Sequence, residues 1–168
     1  MRQCYDAVVV GAGPAGSAVA RDIASWGFTV LLLEEHSVIG QPLHCSGLVT
    51  PRTLALAKVG EQVVQNELRG AIIQSPLGKQ LLIGGGRVYA LAIDRVGLDQ
   101  AMARQAQERG AELLLDARFL GLERASGLVR ACVERQGRRM RVVTKLLIGA
   151  DGAQSKVAKQ LGVHRLHR

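Results

Sequence analysis

Two hydrophobic periods meet at the start of the chain. Residues 5–10, Tyr-Asp-Ala-Val-Val-Val, are a short, largely β-branched apolar run, which predicts a buried strand. Gly11, Gly13, Pro14 and Gly16 interrupt it. Ser17 to Trp26 reads as a helix of small residues with Gly27 as its stop. Phe28 to Leu33 is a second buried strand that ends in Glu34 and Glu35. Strand, helix, strand in this order predicts a parallel sheet with a right-handed crossover.

The pattern then changes. Residues 34–67 are rich in loop formers around Gly40-Gln41-Pro42, with a helix expected from Pro51 to Val59. Apolar runs at 70–75 and 79–83 flank Pro76-Leu77-Gly78, a hairpin signal, and Val88 to Ile93 resumes as a strand. The insertion is therefore drawn at about 70–93. Asp94 caps an expected helix from Arg95 to Arg109, where Leu98, Met102 and Ala106 form one stripe and Gly110 is the stop. Strand-like segments at 112–115, 118–123, 128–134 and 139–143, with turns at Ser126-Gly127 and Gln136-Gly137, predict a small antiparallel meander over about 112–143. A further parallel strand, Lys145–Ile148, runs into Gly149-Ala150-Asp151-Gly152, and a helix is expected from Ser155 to Leu161.

Composition narrows the function classes. At 168 residues, 48% apolar and 21% charged, the chain has room for one globular domain, taken as residues 1–168. No apolar run is long enough to cross a membrane and no secretory leader is legible, so a cytoplasmic location is expected. Cys4, Cys45 and Cys132 have neither the number nor the spacing of a disulfide framework or a zinc site, and no metal is expected. With 3% aromatics, base stacking has almost nothing to work with, so nucleic acid is not an expected partner. The net charge of +8 is uneven: basic and acidic side chains cancel over residues 1–134, and the excess lies in residues 135–168, whose only acid is Asp151. Such a segment suits nucleic acid or an anionic membrane, or is one face of an incomplete interface.

The candidate chemistry begins at Gly11-x-Gly13-x-x-Gly16. Placed between a strand and a helix, this spacing fits a dinucleotide fingerprint. Gly11 permits the tight turn, Gly13 clears a path for a pyrophosphate, and Gly16 lets the helix lie close to the strand. Pro14 fits the first helical turn, and the helix start offers N–H groups and partial positive charge. A carboxylate at Glu34 can accept ribose hydroxyls and repels a 2′-phosphate, which favours FAD or NAD over NADP. Asp151, on a tight turn after a parallel strand, would point into the crevice where open sheets bind ligands. An ordinary glycine-rich turn with a solvated acid, and an Asp-Gly turn that merely closes a strand, are the plainer alternatives.

Three segments carry a family resemblance. Residues 5–16, Tyr-Asp-Ala-Val-Val-Val-Gly-Ala-Gly-Pro-Ala-Gly, resemble the opening of FAD-dependent oxidoreductases of the glutathione-reductase structural class. Residues 148–157, Ile-Gly-Ala-Asp-Gly-Ala-Gln-Ser-Lys-Val, resemble the second FAD motif of the aromatic-hydroxylase-like branch. Residues 42–52, Pro-Leu-His-Cys-Ser-Gly-Leu-Val-Thr-Pro-Arg, resemble the segment that marks geranylgeranyl reductases, as do Asp94-Arg95 and the helix after them.

The resemblance implies an α/β fold: a three-layer, FAD/NAD(P)-binding Rossmann-like domain with a small inserted meander. It implies FAD as cofactor, a nicotinamide nucleotide, NAD(P)H, as electron donor, and reduction of isoprenoid carbon–carbon double bonds, with a peripheral membrane encounter for so apolar a substrate. Ala15 and its neighbours would meet the pyrophosphate and Glu34 the adenosine ribose, with Glu35 also among the cofactor-binding residues. Cys45, Ser46 and Gly47 would lie along the flavin, with Cys45 as a candidate proton relay. Arg95 would reach the cofactor from its helix start, Ala117 would meet the adenine through its main chain, and Asp151 with Gly152 would shape the crevice floor. The second motif usually ends in Arg where this chain has Ala158. Family members also continue into a third FAD motif and a substrate-binding sheet, so the chain is expected to be the amino-terminal part of the family fold. An FAD monooxygenase and a non-catalytic nucleotide-binding fragment are the competing readings.

Overall fold

The structure is a computed structural model that describes residues 4–163. His164 and His167 of the basic tail lie outside the described residues. The chain divides into two compact units, one formed by residues 1–41 and 99–168 and the other by residues 42–98.

The first unit is built on β1 (Cys4–Val10), whose apolar run is buried from Ala7 onward. It pairs in parallel with β2 (Val30–Leu33) on one side and with β11 (Arg138–Gly149) on the other. Strands β8 (Glu112–Leu114), β9 (Ala117–Ala125) and β10 (Leu128–Arg135) complete a six-stranded sheet in the order β8-β2-β1-β11-β10-β9. The β8, β2 and β1 ladders are parallel, while β9, β10 and β11 pair antiparallel.

Both faces of the parallel strands are covered, as their unbroken apolar runs require. On one face Ala7, Val9, Val30 and Leu32 pack with Ala20 and Ala24 of α1 (Pro14–Ser25) and with Ala103 and Ala106 of α3 (Arg95–Glu108). On the other, Val8, Val10, Leu31 and Leu33 pack under Phe119, Ala131, Val133 and Val142, so the meander folds back over the sheet as a third layer. Val8, Val9 and Leu32 are fully buried. Each such side chain contributes about 1.5–3 kcal/mol by leaving water.

Two expected boundaries change. Helix α1 begins at Pro14 instead of Ser17, because proline at the first helical position loses no hydrogen bond and has its φ already set. The segments expected as separate strands at 139–143 and 145–148 are one strand, β11, shared by the antiparallel and parallel halves of the sheet. Thr144 sits where polarity suggests a break, yet it is fully buried; its hydroxyl donates to the Leu146 carbonyl at 2.9 Å, which satisfies it inside the strand.

In the second unit, β3 (Leu48–Val49), β7 (Ala90–Ile93) and β4 (Val64–Leu68) form an antiparallel sheet in that order, with α2 (Pro51–Ala57) between β3 and β4 in sequence. The unit's buried hydrophobic residues are Leu54, Ala57, Val59, Val63, Leu91, Ile93 and Leu98. Strands β5 (Gly70–Gln74) and β6 (Gln80–Gly84) form the expected hairpin. Strand β7, grouped with that hairpin in the sequence reading, pairs instead with β3 and β4.

Candidate functional site: the β1–α1 turn and its carboxylate

The turn after β1 is held from several sides. Gly11 has φ of +100°, which an L side chain rarely adopts, and its N–H donates to the Leu33 carbonyl at 2.8 Å. A Cβ on Gly16 would run into the Gly11 carbonyl, so the helix can approach the turn only with glycine there. The buried Ser17 hydroxyl donates to the Ala12 carbonyl at 3.0 Å and closes the loop.

Gly13 is the exception. It is the N-cap of α1 with φ of −70°, and a Cβ built on it would meet nothing within 4 Å. No side chain caps the helix, and no acid occupies its first turn. The first-turn N–H groups of a helix have no partners within it, and they carry the positive end of its dipole. Open space over unpaired amides is the setting a diphosphate needs. Ala15 belongs to this first turn, after Pro14.

Glu34, just after β2, is built into the same cradle. Its Oε2 accepts the Ala12 N–H at 2.9 Å, and its Oε1 accepts the His36 N–H at 3.1 Å and lies 2.6 Å from His36 Nδ1. The side chain is 12% exposed. Two main-chain donors thus fix the carboxylate beside the turn, and an ionised carboxylate retains acceptor capacity for hydroxyls. The Glu34 carbonyl accepts the Ala117 N–H at 2.8 Å, which brings the buried Ala117 next to the acid and commits its amide to the protein. Glu35 is exposed.

The second motif docks on the first. The Ala150 N–H donates to the Val10 carbonyl at 2.8 Å, and a Cβ on Gly11 would stand 2.5 Å from the Ala150 carbonyl oxygen. Asp151 turns toward α4 (Lys156–Gln160): its carboxylate accepts the Ser155 hydroxyl at 2.6 Å, the Lys156 N–H at 2.7 Å and the Val157 N–H at 3.2 Å. Asp151 therefore anchors the helix that follows it. Gly152 has φ of +75° and gives its carbonyl to the Ser155 N–H.

The structure thus brings Gly11–Gly16, Glu34, Ala117, Asp151 and Gly152 together in the first unit. The second unit holds Cys45, Ser46, Gly47 and Arg95. Cys45 and Ser46 are exposed. Gly47 has φ of +72°, and a Cβ there would stand 2.5 Å from the Ile93 carbonyl oxygen, so β7 requires glycine at this point. Arg95 is the half-buried first residue of α3, behind Asp94, whose Oδ1 accepts the Gly97 N–H at 3.0 Å. His36 pairs with Glu34 from two residues away, and that spacing is the only signal the sequence offers of it.

These residues fit the ADP part of a dinucleotide: an open glycine cradle, an uncapped helix start and a fixed carboxylate. Residues 4–167 match the FAD binding domain family. The chain belongs to this family. It is 35% identical over 169 residues to the digeranylgeranylglycerophospholipid reductase of Methanosarcina acetivorans, a match that covers 97% of this chain and 41% of that one. Its fold superposes on a geranylgeranyl bacteriochlorophyll reductase-like protein from Thermoplasma acidophilum with a TM-score of 0.86 at 29% identity, covering 95% of this chain and 42% of that one. It is also similar to the anhydrotetracycline hydroxylase OxyS of Streptomyces rimosus, with a TM-score of 0.74 and 30% identity over 95% of this chain and 34% of that one. The chain spans about two fifths of the length of the reductases it matches. Among the described residues no helix is long and apolar enough to cross a membrane.

Proposed function

We propose that this chain is the FAD-binding portion of a reductase that saturates carbon–carbon double bonds of isoprenoid lipids. The observation that carries the cofactor half of the reading is the juxtaposition of the uncapped α1 start, open over Gly13, with the Glu34 carboxylate fixed 2.9 Å from the Ala12 amide. The likeness to a digeranylgeranylglycerophospholipid reductase supports the substrate half.

In this reading the amides of the first turn of α1, including Ala15, hold the diphosphate, and Pro14 keeps that turn in helical geometry. Glu34 accepts the ribose hydroxyls and disfavours a 2′-phosphate. Ala117 lines the adenine end, and Glu35 borders it. Asp151 and Gly152 hold the crevice floor by fixing α4 against the β1 turn. Cys45, Ser46, Gly47 and Arg95 face the flavin part, with the Cys45 thiol as a proton source for the second carbon of the alkene. The chemistry a bound flavin supplies is hydride transfer, after reduction by NAD(P)H. An isolated alkene is not polarised, so exclusion of water and close positioning by the protein carry much of the catalysis. The substrate resides in a membrane, and the protein meets it there peripherally.

The test is FAD titration of the purified chain by flavin fluorescence, followed by anaerobic oxidation of NADPH in the presence of an unsaturated isoprenoid glycerolipid. Saturable quenching and lipid-dependent oxidation without oxygen support the reading. The likeness to OxyS favours a second reading, an FAD monooxygenase; NADPH oxidation that depends on oxygen selects it. Quenching with neither activity leaves a nucleotide-binding chain without catalysis of its own.

A further inference from the structure

The outer face of the β9–β10–β11 meander has a character that the cofactor site does not use. On this face Arg118, Arg130, Arg139 and Arg141 outnumber two acids, Glu123 opposite Arg130 and Glu134 opposite Arg139. Ala131, Val133 and Val142 point into the core, so by strand alternation Arg130, Cys132, Arg139 and Arg141 face the other way. All three arginines are exposed. Among the described residues none of the three is in an ion pair, whereas Glu134 is taken by Arg118 at 3.1 Å.

Their spacing is set by the ladder. Arg141 lies opposite Cys132 and Arg130 opposite Val143, which makes Arg130 and Arg141 diagonal neighbours about 7 Å apart. Arg139 is two residues further along the same strand, again about 7 Å away. Like charges this close repel, and an anionic partner removes that cost. Cys132, Arg139 and Arg141 border a shallow cavity of about 740 Å³, whose Leu122 and Met140 pack toward the core. A row of exposed guanidinium groups matches the phosphates of an anionic bilayer surface.

We infer that this face docks on an anionic lipid bilayer, with Arg130, Arg139 and Arg141 against the headgroup phosphates. The inference rests on the reading of the chain as acting on lipids, and it names the surface that meets them. Guanidinium groups suit phosphate because they donate two parallel hydrogen bonds to it, and a basic side chain near an anionic bilayer strengthens attachment several-fold.

The experiment is flotation of the full chain with vesicles of phosphatidylcholine containing phosphatidylglycerol, and with vesicles of phosphatidylcholine alone. The expected result is attachment to the anionic vesicles only, lost in high salt. The double substitution Arg139→Gln/Arg141→Gln lowers partitioning about 30-fold. The pair Arg104→Gln/Arg109→Gln, which removes the same charge from exposed positions at the other end of α3 and after it, leaves it unchanged. Equal attachment to both vesicles, equal loss with both double variants, or capture by a nucleic acid duplex in place of vesicles overturns the inference. FAD titration of the same samples separates the two ideas. Attachment failing while FAD binds removes the docking surface alone, and FAD binding failing while attachment persists removes the cofactor reading alone.

Discussion

Gly11 and Ala150 meet backbone to backbone: a single methyl group added at Gly11 would stand 2.5 Å from the Ala150 carbonyl oxygen. The β1–α1 turn and the end of β11 are thus one structural piece. The glycines of the fingerprint consequently do different work. Gly11→Ala is expected to destabilise the fold, since it combines a clash with a left-handed φ that costs about 1–3 kcal/mol; a melting temperature lowered by several degrees is the readout. Gly13→Val has open space and an ordinary φ, so the melting temperature of the ligand-free protein holds while FAD quenching is lost.

Glu34→Gln keeps an acceptor for the Ala12 amide and removes the charge. A hydrogen bond to a charged group is worth about 1.5–3 kcal/mol, which predicts FAD affinity weaker by about one to two orders of magnitude. The same substitution lifts the repulsion of a 2′-phosphate. Competition by adenosine 2′,5′-bisphosphate against FAD should therefore strengthen, and an unchanged competition profile counts against the ribose role.

The β1–α1–β2 unit was legible because its two periods and its glycine spacing are local signals. The role of Asp151 was less so. A carboxylate after a parallel strand suggests a crevice residue, yet here it satisfies donors at the start of α4, and only the Ser155 position hinted at a helix start. Strand β11 reads as two strands because Thr144 looks like an interruption, and no pattern in sequence tells that it finds its acceptor within its own strand. The separation of β7 from the hairpin was likewise hidden: an apolar run announces a strand but not its neighbour.

Asp151→Ala leaves the Ser155 hydroxyl and two amides without their acceptor. Loss of such a cap costs about 1–2 kcal/mol. Faster hydrogen exchange at residues 156–160, with β1 amides protected as before, is the expected pattern. Exchange that rises equally in β1 assigns Asp151 to the whole sheet and not to α4.

Asp6 ties the sheet together at its other end. Its carboxylate accepts Lys145 Nζ at 2.7 Å, the Thr29 N–H at 2.9 Å and the Thr29 hydroxyl at 2.7 Å. The Lys145 ammonium first, and the Thr29 donors after it, hold the Asp6 carboxyl well below the usual carboxylate range, and Asp6 in turn raises Lys145. A depressed acid stabilises the fold above its unfolded pKa, and that contribution fades as pH falls below the ordinary aspartate range toward the depressed value. Lys145 contributes below its unfolded pKa and loses that contribution as pH rises past its raised value. Asp6→Asn should melt lower than the parent at neutral pH, with the gap closing in strong acid. The gap should also narrow in salt, because Lys145 is 68% exposed. A gap independent of pH from neutral to strong acid removes the charge from the account.

Strand β11 runs unbroken from the basic face to the β1–α1 turn, so one covalent segment joins the two. It pairs with β10 near Arg139 and Arg141 and ends at Gly149, one residue from the carbonyl that meets Gly11. Slippage by a single residue along it would turn buried side chains outward and carry Ala150 off the β1–α1 turn. The register of this one strand therefore sets both which arginines face outward and which backbone packs on Gly11.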